Sequence, residues 1–247
     1  MNRKSIEDYV WKFFHRNTCY SPEFSPCSGN PNYGPPAESS YLYVDTKPIT
    51  PDHIENTFFK TLLTRKSQRE YSNSPLLFST ISTILFYSNG YVESPCSGKS
   101  GRKIVPSAGA RFPIEMNLFA FNCQDLSPGT YHYNAEKNIL ETTSKKNYQT
   151  EIADLCGRQN FLARSSAVLA ICARFENMIE KYGARGYRYT LFDAGHVAQN
   201  IYLICSNLNL ACVGLGGFDD FKIRSSLHLP KGEYPVYLLA IGNIQEG

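Results

Sequence analysis

GYRYTLFDAGHVAQNIYLICSNLNL, residues 186–210, runs directly into ACVGLGGF, residues 211–218, and this junction decides the fold. In the first stretch Val197, Ile201, Leu203, Ile204 and Leu208 fall at helical spacing and cover more than one ~100° stripe. The spacing predicts the longest helix of the chain, with more apolar face than a single sheet needs. The second stretch is a short apolar run closed by glycines, the pattern of a buried strand. SSAVLAICARF (165–175) and YPVYLLAIGN (234–243) have the same character.

Working outward, EMNLFAFN (115–122) and GTYHYN (129–134) read as strands, with KNILETT (137–143) as the return of a hairpin. IENTFFKTLLTRKS (54–67), STISTILFYSNG (79–90), NYQTEIADLCG (147–157) and DDFKIRSSLHL (219–229) read as helices. Gly90 is the expected left-handed cap of the second. Residues 91–105 read as a polar loop. Residues 4–16 form a short amphipathic helix, with Ile6, Tyr9, Val10 and Phe13 on one face. The stretch 19–52 is rich in Pro, Ser, Gly and Asn and reads as an extended loop. The expected organisation is an N-terminal helix and lead-in over 1–51 and a single α+β domain over 52–247, a mixed, mostly antiparallel sheet flanked by helices.

Apolar residues make up 42% of the 247 residues, enough for a packed core, and the net charge is only +3. The basic residues are scattered, which argues against a nucleic-acid footprint. The eight cysteines form no C-x-x-C pair and have no zinc-site spacing with histidine, so no metal is expected. Several sit in apolar runs, as small buried hydrophobes of a reduced protein do. No run approaches the ~18 apolar residues of a membrane span, and no secretory signal stands at the N-terminus. A cytoplasmic location is expected.

Two motifs fail on inspection. SGKS (97–100) lacks the glycine a phosphate loop needs, because position 93 is Glu93. GLGGFD (214–219) puts Asp219 where a dinucleotide fingerprint needs its third glycine. Four other runs are compatible with a site. Arg65, Ser67 and Arg69 alternate, so in an extended segment two guanidiniums and a hydroxyl converge on one anion; a solvated helix end is the alternative. PSAGARFP (106–113) presents an unshielded backbone that can lie along a flat ligand, or is a turn before a strand. Gly214, Gly216 and Gly217 end a buried strand, where a ligand ring or a bulge would sit. Lys181 and Tyr182 stand before the long helix. An ammonium beside a phenol favours phenolate and so makes a base, but a polar lead-in has the same look.

The conjunction carries the signal. R-x-S-x-R, then PSAGA-x-x-P-x-E, then KYG-x-RGYRY with DAGH-x-x-QN, then GLGGFDD and the final YLLAIG resembles the SagB-type dehydrogenases. These are a branch of the FMN-binding nitroreductase superfamily that includes azoline oxidases. The likeness runs from about Arg65 to Gly242, and FFHRNT (13–18) echoes the family's leader. It implies a nitroreductase-like α+β fold working as an intertwined homodimer with FMN at the interface. Arg65, Ser67 and Arg69 would hold the phosphate and ribityl chain. Pro106, Ser107, Ala108 and Gly109 would lie along the flavin, supplied by the partner subunit. Gly216 and Gly217 would offer backbone donors beside flavin N5, and Lys181 with Tyr182 would be catalytic. Many superfamily members place basic phosphate-binding residues after the last strand, where this chain has NIQEG. Arg185, Arg188 and Lys222 are the candidates to replace them.

The implied reaction turns a thiazoline or oxazoline into a thiazole or oxazole on a peptide or carrier-bound peptide. The base removes the α-proton, and the ring methylene gives a hydride to flavin N5. Expected pathway partners are a cyclodehydratase or a peptide synthetase. The competing readings are an NAD(P)H-dependent nitro or quinone reductase and a flavin-bearing scaffold of a peptide-modifying complex.

Overall fold

A computed structural model describes residues 3–19, 54–93 and 101–245. The lead-in loop and the SGKS run therefore lie outside the described residues, apart from Cys19. The centre is a six-stranded sheet, in which every neighbouring pair is antiparallel. Its strands are β4 (Ile114–Ala120), β6 (Gly129–Asn134), β7 (Ile139–Ser144), β8 (Ala167–Ala173), β9 (Leu210–Leu215) and β10 (Tyr234–Asn243). The spatial order is β7-β6-β4-β8-β10-β9. Three two- or three-residue strands lie upstream or beside it: β1 (Leu76–Leu77), β2 (Tyr91–Glu93) and β3 (Arg102–Lys103). β1 pairs in parallel with the short β5 (Cys123–Gln124). The expected α+β class holds.

Both faces of the sheet are covered, which explains why β8 is buried at every position although its neighbours are antiparallel. Leu169, Ile171, Leu239 and Ile241 pack on one side, with Ile81 and Ile84 of α3 (Phe78–Asn89) and Val197 and Ile201 of α6 (Arg185–Asn207). Val168, Ala170, Leu238 and Ala240 pack on the other. There they meet Ile152 of α4 (Ile152–Leu155) and Ile223 of α7 (Asp220–Ser226). α6 is the long helix read from the sequence.

Four details depart from the sequence reading. Gly90 ends α3 with φ −72 and ψ 163, not left-handed. Glycine is needed there because a Cβ would stand 2.5 Å from the Phe86 carbonyl oxygen. The helix read over 147–157 shrinks to the single turn of α4, and the chain turns away through Gly157 at φ 68. Part of the polar loop 91–105 is the β2–β3 pair. Lys181 and Tyr182 close a helix of their own, α5 (Phe175–Tyr182), where a lead-in to the long helix was expected.

The N-terminal helix α1 (Arg3–Thr18) docks on this body. Trp11 is buried, 5.3 Å from the Phe175 ring and edge-on to Tyr234 at 6.2 Å. Buried His15 lies 3.4 Å from the Tyr187 hydroxyl.

Candidate active site

The first group of expected residues follows α2 (Thr57–Thr64). Asn56 caps that helix by accepting the Phe59 N–H at 3.0 Å. Arg65 ends it, and the backbone then runs extended. The Gln68 N–H donates to the Cys212 carbonyl at 2.9 Å, tying the segment to β9. Alternation then puts Arg65 and Ser67 toward Tyr202. The Arg65 guanidinium lies 5.4 Å from that ring, and Ser67 Oγ is 3.3 Å from its hydroxyl. The same hydroxyl accepts the Gly214 N–H at 2.5 Å. Tyr202 thus joins the R-x-S-x-R segment to the glycine-rich end of β9. Arg69 is exposed, 5.9 Å from the Phe161 ring. Among the described residues neither Arg65 nor Arg69 is in an ion pair.

Gly216 and Gly217 follow β9 directly. Neither has a positive φ, and a Cβ on either would meet nothing within 4 Å. Among the described residues, packing gives no reason for glycine at these two positions. Their smallness leaves the backbone open to close approach by another group. Gly214 differs, since a Cβ there would collide with the Tyr237 hydroxyl.

The second group is the loop before β4. Gly109, Ala110 and Phe112 have φ of 61, 53 and 44, a region that side chains disfavour. The Ser107 hydroxyl donates to Asp193 Oδ2 at 2.6 Å and accepts the Phe112 N–H at 2.9 Å. The Ala108 N–H lies on the same side and favours the charged carboxylate. Burial pushes the Asp193 carboxyl up, against these hydrogen bonds and the nearby His196. Behind the loop, buried Lys103 lies 5.0 Å from the Tyr91 ring and 5.9 Å from Phe112. Burial brings Lys103 down to about 8.

Lys181 and Tyr182 come to this loop from the end of α5. Gly183 at φ 59 closes the helix, with its N–H on the Ile179 carbonyl at 2.8 Å. Gly186 lets α6 start close against Met178, where a Cβ would sit 2.5 Å from the backbone. This tight corner presents Lys181 Nζ and Tyr182 Oη to Gly109, and a Cβ on Gly109 would strike both. Tyr182 meets the Tyr189 ring edge-on at 5.2 Å.

The structure therefore forms two clusters. Arg65, Ser67, Tyr202 and the 214–217 backbone make one. Ser107, Ala108 and Gly109 with Lys181, Tyr182 and Asp193 make the other. Asp193 and Tyr202 are nine residues apart on α6, about 14 Å along the axis and roughly half a turn round. Of the candidate replacement charges, Lys222 is already paired with Asp219 at 3.2 Å, while Arg185 and Arg188 are exposed on α6. Neither Asp193 nor Tyr202 stands out in the sequence. Their partners lie 86 and 135 positions away, and helical periodicity assigns both to a generic face.

The pattern of the Nitroreductase family matches residues 62–243, most of the chain and all six strands of the sheet. The chain belongs to the nitroreductase family. It is thereby an oxidoreductase, and both clusters lie inside the nitroreductase match. A Methanocaldococcus jannaschii protein named as a nitroreductase is 36% identical over 192 residues, covering 78% of this chain and 93% of the relative. The microcin B17-processing protein McbC of Escherichia coli is 32% identical over 141 residues, covering 55% of this chain. That stretch spans about half of McbC, 52% of its length. The likeness to McbC agrees with the SagB-type resemblance. In fold, the chain matches a component of the E. coli microcin synthetase McbBCD complex, solved with truncated pro-MccB17 bound. The TM-score is 0.71 at 23% identity, over 98% of this chain and 94% of that one. No described helix of this nitroreductase-family chain is long and apolar enough to cross a membrane.

Proposed function

We infer that this chain is an FMN-dependent azoline oxidase, converting thiazoline or oxazoline rings to thiazole or oxazole on a peptide or carrier-bound peptide. The observation that carries the reading is the meeting of Lys181 Nζ and Tyr182 Oη at Gly109. A pair able to handle a proton stands on the loop assigned to the flavin. The McbC and McbBCD likenesses support a peptide substrate supplied by a ring-forming partner enzyme, a cyclodehydratase or a peptide synthetase.

The residues fit the cofactor. Arg65, with no acidic partner among the described residues, suits a phosphate, with Arg69 two positions beyond Ser67 as a second cation, and Ser67 suits a ribityl hydroxyl. The open backbone at Gly216–Gly217 and the 106–109 loop suit the edge and face of a planar ring. Bound FMN would accept the two electrons that the substrate ring loses, as a hydride. The chain's own part is positional and protonic. Tyr182 Oη takes the α-proton, which the neighbouring imine and carbonyl acidify, and Lys181 Nζ passes it on. Backbone N–H groups at 216–217 face the negative charge that builds up. Because the two clusters leave α6 on opposite sides, we place each complete site between two copies of the chain.

Purified protein should be yellow and release FMN, not FAD, on denaturation. It should remove two hydrogens per ring from an azoline peptide, read by mass spectrometry. Protein that stays colourless after soaking in FMN ends the flavin reading. Turnover of nitro compounds with NAD(P)H but of no azoline would establish the general reductase instead. Flavin with no turnover at all would point to the scaffold.

A further inference from the structure

We propose that Asp193 is a positioning residue for the Lys181–Tyr182 pair, latching the 106–112 loop to α6 so that Gly109 backs onto both side chains. The proposal rests on the reading of that pair as the proton-handling group. The loop does not hold its shape unaided. Ala110 and Phe112 carry side chains at positive φ, and such residues persist only where the surroundings fix them. Beside the ring contacts of Phe112 with Tyr91 and Lys103, a relay of hydrogen bonds ties them to α6. Asp193 Oδ2 takes the Ser107 hydroxyl hydrogen at 2.6 Å, which turns the Ser107 oxygen lone pairs to the Phe112 N–H at 2.9 Å. The Ala110 N–H closes the turn onto the Ser107 carbonyl at 3.1 Å. Gly109 stands between the two ends of this relay.

A purely structural part explains Asp193 poorly. A carboxylate left 5% exposed in a helix face is a costly way to hold a loop. Burial raises its pKa, so the fold itself disfavours the charged form. The bond from Ser107 to Asp193 ties the loop that carries Gly109 to α6, and so holds Gly109 against Lys181 Nζ and Tyr182 Oη. Ser107, expected to serve the cofactor, has its hydroxyl hydrogen committed to this latch.

The test uses the full-length, FMN-loaded protein with Asp193→Ala, Ser107→Ala, Tyr182→Phe and the Asp193→Ala/Tyr182→Phe double variant. Hydrogen exchange at amides 108–112 should speed up in Asp193→Ala and Ser107→Ala, with β8 and β10 unchanged. Azoline oxidation should lose about 10²-fold in kcat, as a displacement near 1 Å does, with KM little altered. In the Tyr182→Phe background, removing Asp193 should cost nothing more, because it acts through that residue. Exchange that stays slow in both latch variants overturns the proposal, and so do fully additive losses in the double variant. If Asp193→Ala does not fold, Ser107→Ala decides alone, since it leaves α6 intact. A fully active Tyr182→Phe would remove the proton-pair reading, while the exchange data would still report whether the latch exists.

Discussion

Gly109 is the residue at which the loop proposed for the flavin meets the proposed proton-handling pair, and its requirements are double. Its φ of 61 suits glycine, and a Cβ would strike Lys181 Nζ and Tyr182 Oη. Gly109→Ala should cost roughly 1–2 kcal/mol in stability from the backbone alone. In a chain of this size that lowers Tm by about 2–8 °C. The clash is with side-chain ends that can swing away, so the variant should fold and yet lose activity out of proportion to its Tm. Lys181→Ala and Tyr182→Phe should each lose about 10²–10⁴-fold in azoline turnover while keeping flavin and dimer. Acting as one unit, they should not add in the double variant. Turnover, flavin content and melting measured on the same preparations check all three; near-wild-type rates in both single variants would show that the pair has another role. At this scale the candidate residues could be named from the sequence because family motifs are local. Asp193 and Tyr202 were not, because what gives each its part is a contact formed only when distant segments fold together.

Among the elements, α1 shows how a segment that looks peripheral joins the body. Its apolar spacing was readable, and helix was expected over 4–16 against the observed Arg3–Thr18. Its docking onto Phe175 and Tyr234 was not, since no period in a sequence names the partner of a face. α5 was missed for a related reason. It has eight residues, no side-chain N-cap and only Phe175 and Met178 buried, too short a signal for periodicity. The docking makes a pH prediction. Burial lowers the pKa of His15 from 6.5 to about 4, so between those values the unfolded chain binds a proton that the folded one refuses. Stability is then complete above about 6.5 and falls as pH drops toward 4, by on the order of 3 kcal/mol at full titration. Replacing His15 with Phe should flatten the melting temperature across that window. An equally steep acid loss in His15→Phe would assign the sensitivity to other groups.

For the whole molecule, the decisive feature is that α6 separates the two clusters while, among the described residues, its surroundings are apolar and open. A groove of about 510 Å³ runs between α2, α3 and α6, lined by Phe58, Tyr87, Leu203 and Leu208 among others. Leu63, also on α2, is 81% exposed. We propose that a second copy covers this groove, in an arrangement that joins the Arg65–Gly217 cluster of one protomer to the Gly109–Tyr182 cluster of its partner. The surplus apolar face of α6 was legible in the sequence, but which side each cluster takes was not, since that needs the fold. The arrangement makes a test by complementation. A variant lacking Arg65 and Arg69 damages one half of every site, and Tyr182→Phe damages the other half. Each alone should be inactive as a homodimer. Unfolded together and refolded, they should form mixed dimers in which one site carries both lesions and the other carries neither. Random pairing in a two-fold dimer makes half the dimers mixed, with one good site in two, so about a quarter of wild-type activity should return. If each protomer instead holds a complete site, every site in the mixture carries one lesion and no activity returns. Light scattering on the same mixture distinguishes that outcome from a failure to pair, because uncombined monomers would scatter as half the mass.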